Sequence, residues 1–292
     1  MKPNRLFLWV LIIGLVFNFQ LSCTKSPFEA KIAPEPRIIK GFVDLLNTSP
    51  DDNIFVWLEG FDLSTRTDES GFFSIEIPKE LNASTSSLNG IFKLYFYVAN
   101  YEINIVNIPV RNGLFLYDEG DLSNQGSLTH TIQMHKILNI FTLVDPQWVP
   151  DGFEGQIDVQ VTLQATFDSV TVIYPKSVGG LLGGVLLRNL KTQEIFVDIP
   201  DEGASTRSYD VIGTNPKSRR MVFELNGINF RDLFLPLGTY EVIPYFLIEH
   251  DNLPQELVET IAVDAEVIGK DFLKIPYRRV GGDFRVIDIP IN

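Results

Sequence analysis

Short runs in which apolar and polar positions alternate recur along the chain from about residue 37 onward. The clearest run, at 156–167, has apolar residues at every odd position and polar residues at every even one. Alternation with a period of two predicts a β-strand with one buried and one solvated face. Turn residues separate the runs, and no stretch keeps the 3.6-residue period of a long amphipathic helix. The pattern therefore predicts an all-β fold.

The spacing of the runs predicts two β-sandwich domains in tandem. A run at 137–144 is expected to close the first sandwich, and the densest cluster of turn residues follows at 145–152. About seven or eight runs come after it, one of them at 259–267, which is the strand number of an immunoglobulin-like sandwich. We expect one sandwich over 37–144 and an immunoglobulin-like sandwich over 145–292.

Four segments of the first sandwich share the order and spacing of a known domain. They are Lys40-Gly41-Phe42-Val43-Asp44, Val56-Trp57-Leu58-Glu59-Gly60, Thr67-Asp68-Glu69-Ser70-Gly71-Phe72 and Asn100-Tyr101. Together they resemble the carboxypeptidase regulatory-like domain, although Asn100 stands where that family has Gly. The resemblance implies a transthyretin-like sandwich over about 37–115 and a role as a spacer or binding module of secreted and envelope proteins. It implies no catalysis, because this accessory domain carries no zinc ligands.

Two turns carry specific structural expectations. The Asp68-Glu69-Ser70-Gly71 turn places a glycine where the backbone φ can be positive. The segment 235–242 resembles the tyrosine corner of immunoglobulin-like domains, including fibronectin type III. That resemblance implies that the Tyr240 hydroxyl bonds to nearby backbone.

The first 22 residues predict export. Lys2 and Arg5 precede an apolar run at 6–17, which is too short to span a bilayer and matches the hydrophobic region of a secretory signal. Gln20-Leu21-Ser22-Cys23 resembles the lipobox of bacterial lipoproteins, with Gln20 where the family usually has Leu. The resemblance implies that Cys23 is lipidated after cleavage. An ordinary cleaved signal with an incidental Cys is the alternative.

Residues 23–36 predict an extended tether between the anchor and the first sandwich. Pro27, Pro34 and Pro36 lie in this stretch, which shows no apolar periodicity. Cleavage of the signal removes Lys2 and Arg5, which moves the formal charge from −13 to −15. An acidic surface of this kind repels nucleic acid, so we expect no nucleic-acid partner.

The sequence offers little catalytic chemistry. The three His residues, His130, His135 and His250, lie in no hydrolase or metalloprotease motif, and no phosphate-binding loop is present. The glycine-rich segment 179–184 predicts a hairpin tip rather than a nucleotide loop. We therefore predict that the protein is not an enzyme. A hydrolase that uses paired carboxylates stays open, because the fold alone can assemble such a pair.

Two groups of residues are candidate ligand contacts. Acidic clusters at 51–53, 62–69 and 118–121 are possible calcium ligands, although none has the calcium-loop pattern and solvated turns explain them as well. Five aromatic residues would form a sugar-stacking platform if several faced outward together, although core and rim packing of a sandwich is the favoured interpretation. They are Trp57, Tyr95, Tyr97, Tyr101 and Trp148.

The predictions combine into a bacterial cell-envelope lipoprotein. Cys23 anchors it in a membrane, which we expect to be the outer membrane, facing the periplasm or the cell surface. The sandwiches act as a structural or protein-binding module for an envelope or secreted partner. A carbohydrate-binding accessory lipoprotein is the alternative. We expect no cofactor and no metal centre, calcium being the one ion that the acidic clusters suggest.

Overall fold

The computed structural model describes residues 37–48, 50–78, 88–175, 184–198, 207–225 and 234–288. These ranges contain twenty β-strands and one α-helix of seven residues, which confirms the all-β class. No helix there is long and apolar enough to cross a membrane. The predicted signal, Cys23 and the tether lie outside the described residues, as do residues 179–183 of the glycine-rich segment.

The first sandwich is built from eight described strands. They are β1 (Ile38–Leu45), β2 (Phe55–Leu58), β3 (Leu63–Arg66), β4 (Phe72–Glu76), β5 (Gly90–Tyr97), β6 (Asn104–Arg111), β7 (Leu114–Phe115) and β8 (Ile132–Met134). One sheet has the order β4-β1-β8 and the other β3-β2-β5-β6-β7. Alternate side chains of both sheets meet in one apolar core, where the rings of Phe73 and Phe96 pack edge to face at 5.4 Å.

The Thr67–Phe72 segment forms the tight turn that its sequence predicts. Oδ1 of Asp68 accepts hydrogen bonds from the backbone N–H groups of Ser70 and Phe72 at 2.9 and 3.1 Å. The hydroxyl of Ser70 donates to the same atom, and these bonds lower the pKa of Asp68. Gly71 has a φ of +77°, as expected, and a Cβ there would lie 2.0 Å from the carbonyl oxygen of Val43. Only glycine fits this position without displacing β1.

The second sandwich contains the remaining described strands. They are β9 (Leu138–Asp145), β10 (Trp148–Pro150), β11 (Gly155–Ala165), β12 (Val170–Pro175), β13 (Val185–Asn189), β14 (Ile195–Asp198), β15 (Arg207–Ile212), β16 (Lys217–Leu225), β17 (Gly238–Pro244), β18 (Leu247–Ile248), β19 (Val280–Gly281) and β20 (Asp283–Ile287). Sheets of order β16-β11-β9-β19 and β15-β12-β18 share one core with the sheet β10-β20-β17-β13-β14. The Tyr240 hydroxyl donates to the carbonyl of Pro236 at 2.6 Å, so the expected bond to nearby backbone is confirmed.

Strand β9 belongs to the second sandwich, which corrects its expected place at the end of the first. It pairs antiparallel with β11 over eight residues, from Leu138 opposite Ala165 to Asp145 opposite Asp158. Its inward side chains, among them Ile140, join the second core. The turn cluster at 145–152 therefore lies inside the second unit, between β9 and β11. Turn residues mark chain reversals in general and do not distinguish a hairpin from a domain boundary.

A third apolar cluster joins the two sandwiches, and we call it the junction layer. It combines the outer faces of β2 and β5 with side chains from β13, β17 and β18 and with the segment 253–277. Helix α1 (Gln255–Ile261) and a 3-10 turn (Phe272–Lys274) lie in that segment. The expected strand at 259–267 is therefore wrong, because Leu257, Val258 and Ile261 are spaced to bury one helical face.

Candidate functional site

Four of the five aromatic residues proposed as a sugar platform are buried. Trp57, Tyr95 and Tyr97 lie in the junction layer, and Tyr101 lies in the first core with its hydroxyl 2.7 Å from Oγ1 of Thr48. Burial raises the pKa of Tyr97 well above its ordinary value. Trp148 alone is exposed, at 56% of its surface, on the edge strand β10. Buried rings have no free face to stack on a sugar, so these four residues agree with core packing and do not form the candidate platform.

The acidic clusters serve turns and ion pairs. Oδ1 of Asp51 accepts the Leu45 backbone N–H at 2.7 Å, and Asp52 contacts the guanidinium of Arg278. Asp62 and Asp118 occupy turn positions with positive φ. Among the described residues, no group of three His, Cys, Asp or Glu side chains is arranged to hold a metal ion.

Polar bonds hold the two sandwiches together beside the junction layer. Asn100 donates from Nδ2 to the carbonyls of Leu138 and Arg278 at 3.0 and 2.9 Å. It also accepts the Arg278 backbone N–H on Oδ1 at 2.9 Å. The backbone N–H of Ala99 donates to the carbonyl of Pro276 at 2.8 Å. These bonds satisfy buried polar groups at the seam and fix the orientation of one sandwich on the other.

A groove opens along the same seam, and we call it the junction groove. It has a volume of about 470 Å³ and lies between the β5–β6 connection, the β11–β12 connection and the residues after β18. Apolar side chains of Ile103, Ile105, Ile137, Phe167 and Val170 contribute to its lining. Its acidic side chains are Glu102, Asp168, Glu249 and Asp251, and no Lys or Arg is among the described residues that line it.

His250 forms part of the groove wall and is bonded into the junction. Its Nε2 lies 2.8 Å from the carbonyl oxygen of Ala99, which can only accept, so Nε2 carries the proton. The imidazole packs edge to face on Tyr97, with ring centroids 5.8 Å apart. Burial lowers the pKa of His250 below 6.5, although the Ala99 bond and Asp251 oppose the shift. The ring is therefore neutral near pH 7.

The other two histidines lie on the surface. Nδ1 of His135 is 3.6 Å from a carboxylate oxygen of Glu102, and both side chains are about half exposed. Nδ1 of His130 is 2.8 Å from the Thr129 hydroxyl. What the site offers chemically is a negatively charged recess with apolar patches.

The protein is thus an all-β chain whose two sandwiches are joined through the junction layer. No family model and no curated protein matches the chain. The groove residues were absent from the sequence-based candidates because they come from four segments that are distant in the sequence. One signal was present: Phe167 continues the alternation of 156–167, yet β11 ends at Ala165 and leaves the Phe167 ring 52% exposed.

Proposed function

We propose that this protein is a non-enzymatic lipoprotein of the bacterial cell envelope that holds a partner protein near a membrane. Cys23 provides the lipid anchor, and the two sandwiches form the binding body. The first sandwich is a carboxypeptidase regulatory-like domain, and the second is immunoglobulin-like. The observation that carries the proposal is the fusion of both sandwiches through the junction layer, with a groove open to solvent at their seam.

A fused body suits a binding role because it keeps a recognition surface preorganised. The described residues of the junction layer come from both sandwiches and from the segment between β18 and β19. Binding to a rigid surface loses less conformational entropy than binding to two domains on a flexible linker. The lipobox resemblance at 20–23 and the short tether support attachment to a membrane, where two or more acyl chains give stable anchoring.

The anchor is tested by lipid labelling and fractionation in the source cells. We expect the full-length chain to incorporate labelled palmitate and to remain in the membrane fraction through a high-salt wash. Cys23→Ala should lose the label and appear in the soluble fraction. The Cys23→Ala protein purified from the soluble fraction should keep the melting temperature of the wild type. A Cys23→Ala chain that stays in the membrane fraction contradicts the anchor.

A carbohydrate-binding role is the second candidate, and one observation favours it. A groove of about 410 Å³ on the first sandwich is lined by Phe42 and Phe72, whose ring centroids are 5.4 Å apart. Lys40, His130 and Thr131 add polar groups beside the rings. Phe42 is half exposed, so its face is open for stacking. Binding to a glycan panel that Phe42→Ala abolishes supports this candidate, and no binding by the wild type removes it.

A further inference from the structure

We infer that the junction groove binds a cationic segment of the partner protein, in which Lys or Arg side chains stand beside apolar ones. The inference rests on the proposed function and specifies the partner for the site described above. A recess of about 470 Å³ accommodates a few side chains, so the occupant is a segment of chain and not the face of a folded domain.

The acidic lining of the groove favours a positively charged occupant. Glu102, Asp168, Glu249 and Asp251 line it, and the full chain carries a formal charge of −13. Lys136 precedes the groove residue Ile137, and its Nζ lies over the Tyr101 ring at 5.5 Å from the ring centroid. Complementary charge raises the association rate and excludes partners of the same sign. A basic segment therefore fits this groove, and an acidic one is repelled.

The exposed apolar side chains in and beside the groove favour a protein segment over a small cation as the occupant. Phe167 and Ile105 are exposed within the groove, and Val211 lies opposite the groove residue Thr171 in the β12–β15 pairing. Tyr209, two residues earlier on β15, points to the same face, and the two β15 side chains are 63% and 61% exposed. Apolar exposure thus continues from the groove onto the adjoining sheet, where a chain can lie along it.

Fluorescence anisotropy with a defined peptide tests this inference. The probe is a labelled 12-residue peptide of three Lys-Leu-Lys-Thr repeats, added to the chain from residue 24 onward, and the control peptide has Glu in place of Lys. The groove variant combines Glu102→Gln, Glu249→Gln and Asp251→Asn. The matched control variant combines Asp118→Asn, Glu119→Gln and Asp121→Asn, which remove the same charge from a loop outside the groove.

We expect the Lys peptide to bind and the Glu peptide not to bind. The groove variant should raise the Kd about tenfold, and the control variant less than about twofold. Phe167→Ala should also weaken binding, with no change in its salt dependence. Equal weakening by both triple variants means non-specific attraction to an acidic protein and overturns the inference, as does absent binding by the wild type.

The two proposals fail in different ways. If the peptide does not bind but a partner is still recovered from cells in a Cys23-dependent manner, the groove inference is wrong and the proposed function stands. If the peptide binds in the groove but wild type and Cys23→Ala recover the same proteins, the anchored role is wrong and the groove specificity remains.

Discussion

Asn100 of the first sandwich and Arg278 of the second form a reciprocal pair of hydrogen bonds. The Asn100 side chain donates to the Arg278 carbonyl and accepts the Arg278 N–H, both at 2.9 Å. Asn100 is fully buried, and its Nδ2 also reaches the Leu138 carbonyl. The Asn100 side chain is therefore one of the polar groups that join this sandwich to its neighbour.

Asn100→Gly removes the side chain that makes these bonds, and we expect it to destabilise the protein. The carbonyls of Leu138 and Arg278 and one N–H lose a buried partner, which costs about 3 kcal/mol in the free energy of unfolding. Urea denaturation measures this loss. Asn104→Ala is the control, since it removes only an exposed bond to Gln133 and should change stability by less than about 0.5 kcal/mol. A neutral Asn100→Gly would show that the seam is not held by this side chain.

Gly71→Ala tests the turn that the sequence marks most clearly. The new Cβ would combine a φ of +77° with an approach of 2.0 Å to the Val43 carbonyl oxygen. We expect a loss of about 3 kcal/mol in the free energy of unfolding. Gly213→Ala is the matched control because nothing lies within 4 Å of a Cβ there. Similar stabilities of the two variants would contradict the account of this turn.

Several local elements of this protein are readable from its sequence, whereas its junction, which includes helix α1, is not. Alternation along β11, the Asp68 turn and the Tyr240 hydroxyl bond each depend on residues close in sequence, and each is found as expected. The local sequence around Trp57 and Tyr95 does not distinguish an exposed strand face from a buried one. The two rings are buried against α1, which lies far along the chain. The helix itself was missed because its seven residues span only two turns.

Leu257→Ala tests whether the two sandwiches unfold as one unit. Leu257 is fully buried where α1 meets the junction layer, and the cavity left by its truncation costs about 3 kcal/mol. Calorimetry of the wild type should give one endotherm, because the layer couples both cores. The variant should shift that endotherm to lower temperature, while the exposed Val263→Ala should leave it in place. Two well-separated endotherms in the wild type would show that the sandwiches unfold independently.

His250 makes the stability of the junction depend on pH. Its pKa in the folded protein lies below the ordinary value of 6.5, so the unfolded chain binds the proton more readily. The contribution of the neutral His250 ring to the free energy of unfolding is therefore complete above pH 6.5, and it declines as the pH falls below that value. Asp251 is the charged group that acts on the ring most directly, and Glu249 precedes it in the same groove wall.

The measurement is the difference in unfolding free energy between wild type and His250→Gln from pH 7.5 to pH 5. We expect this difference to shift in favour of the variant as the pH falls. His130→Gln is the control for replacing an imidazole by an amide, at an exposed position. Parallel curves for wild type and His250→Gln would mean that the proton on His250 is not coupled to folding.

Crosslinking in intact source cells tests the central claim most directly. The wild type and Cys23→Ala are crosslinked, purified under denaturing conditions and compared for the proteins recovered with them. The account predicts that the wild type recovers one defined envelope or secreted protein and that Cys23→Ala does not. Recovery of no protein by the wild type, or of the same proteins by both chains, would contradict it.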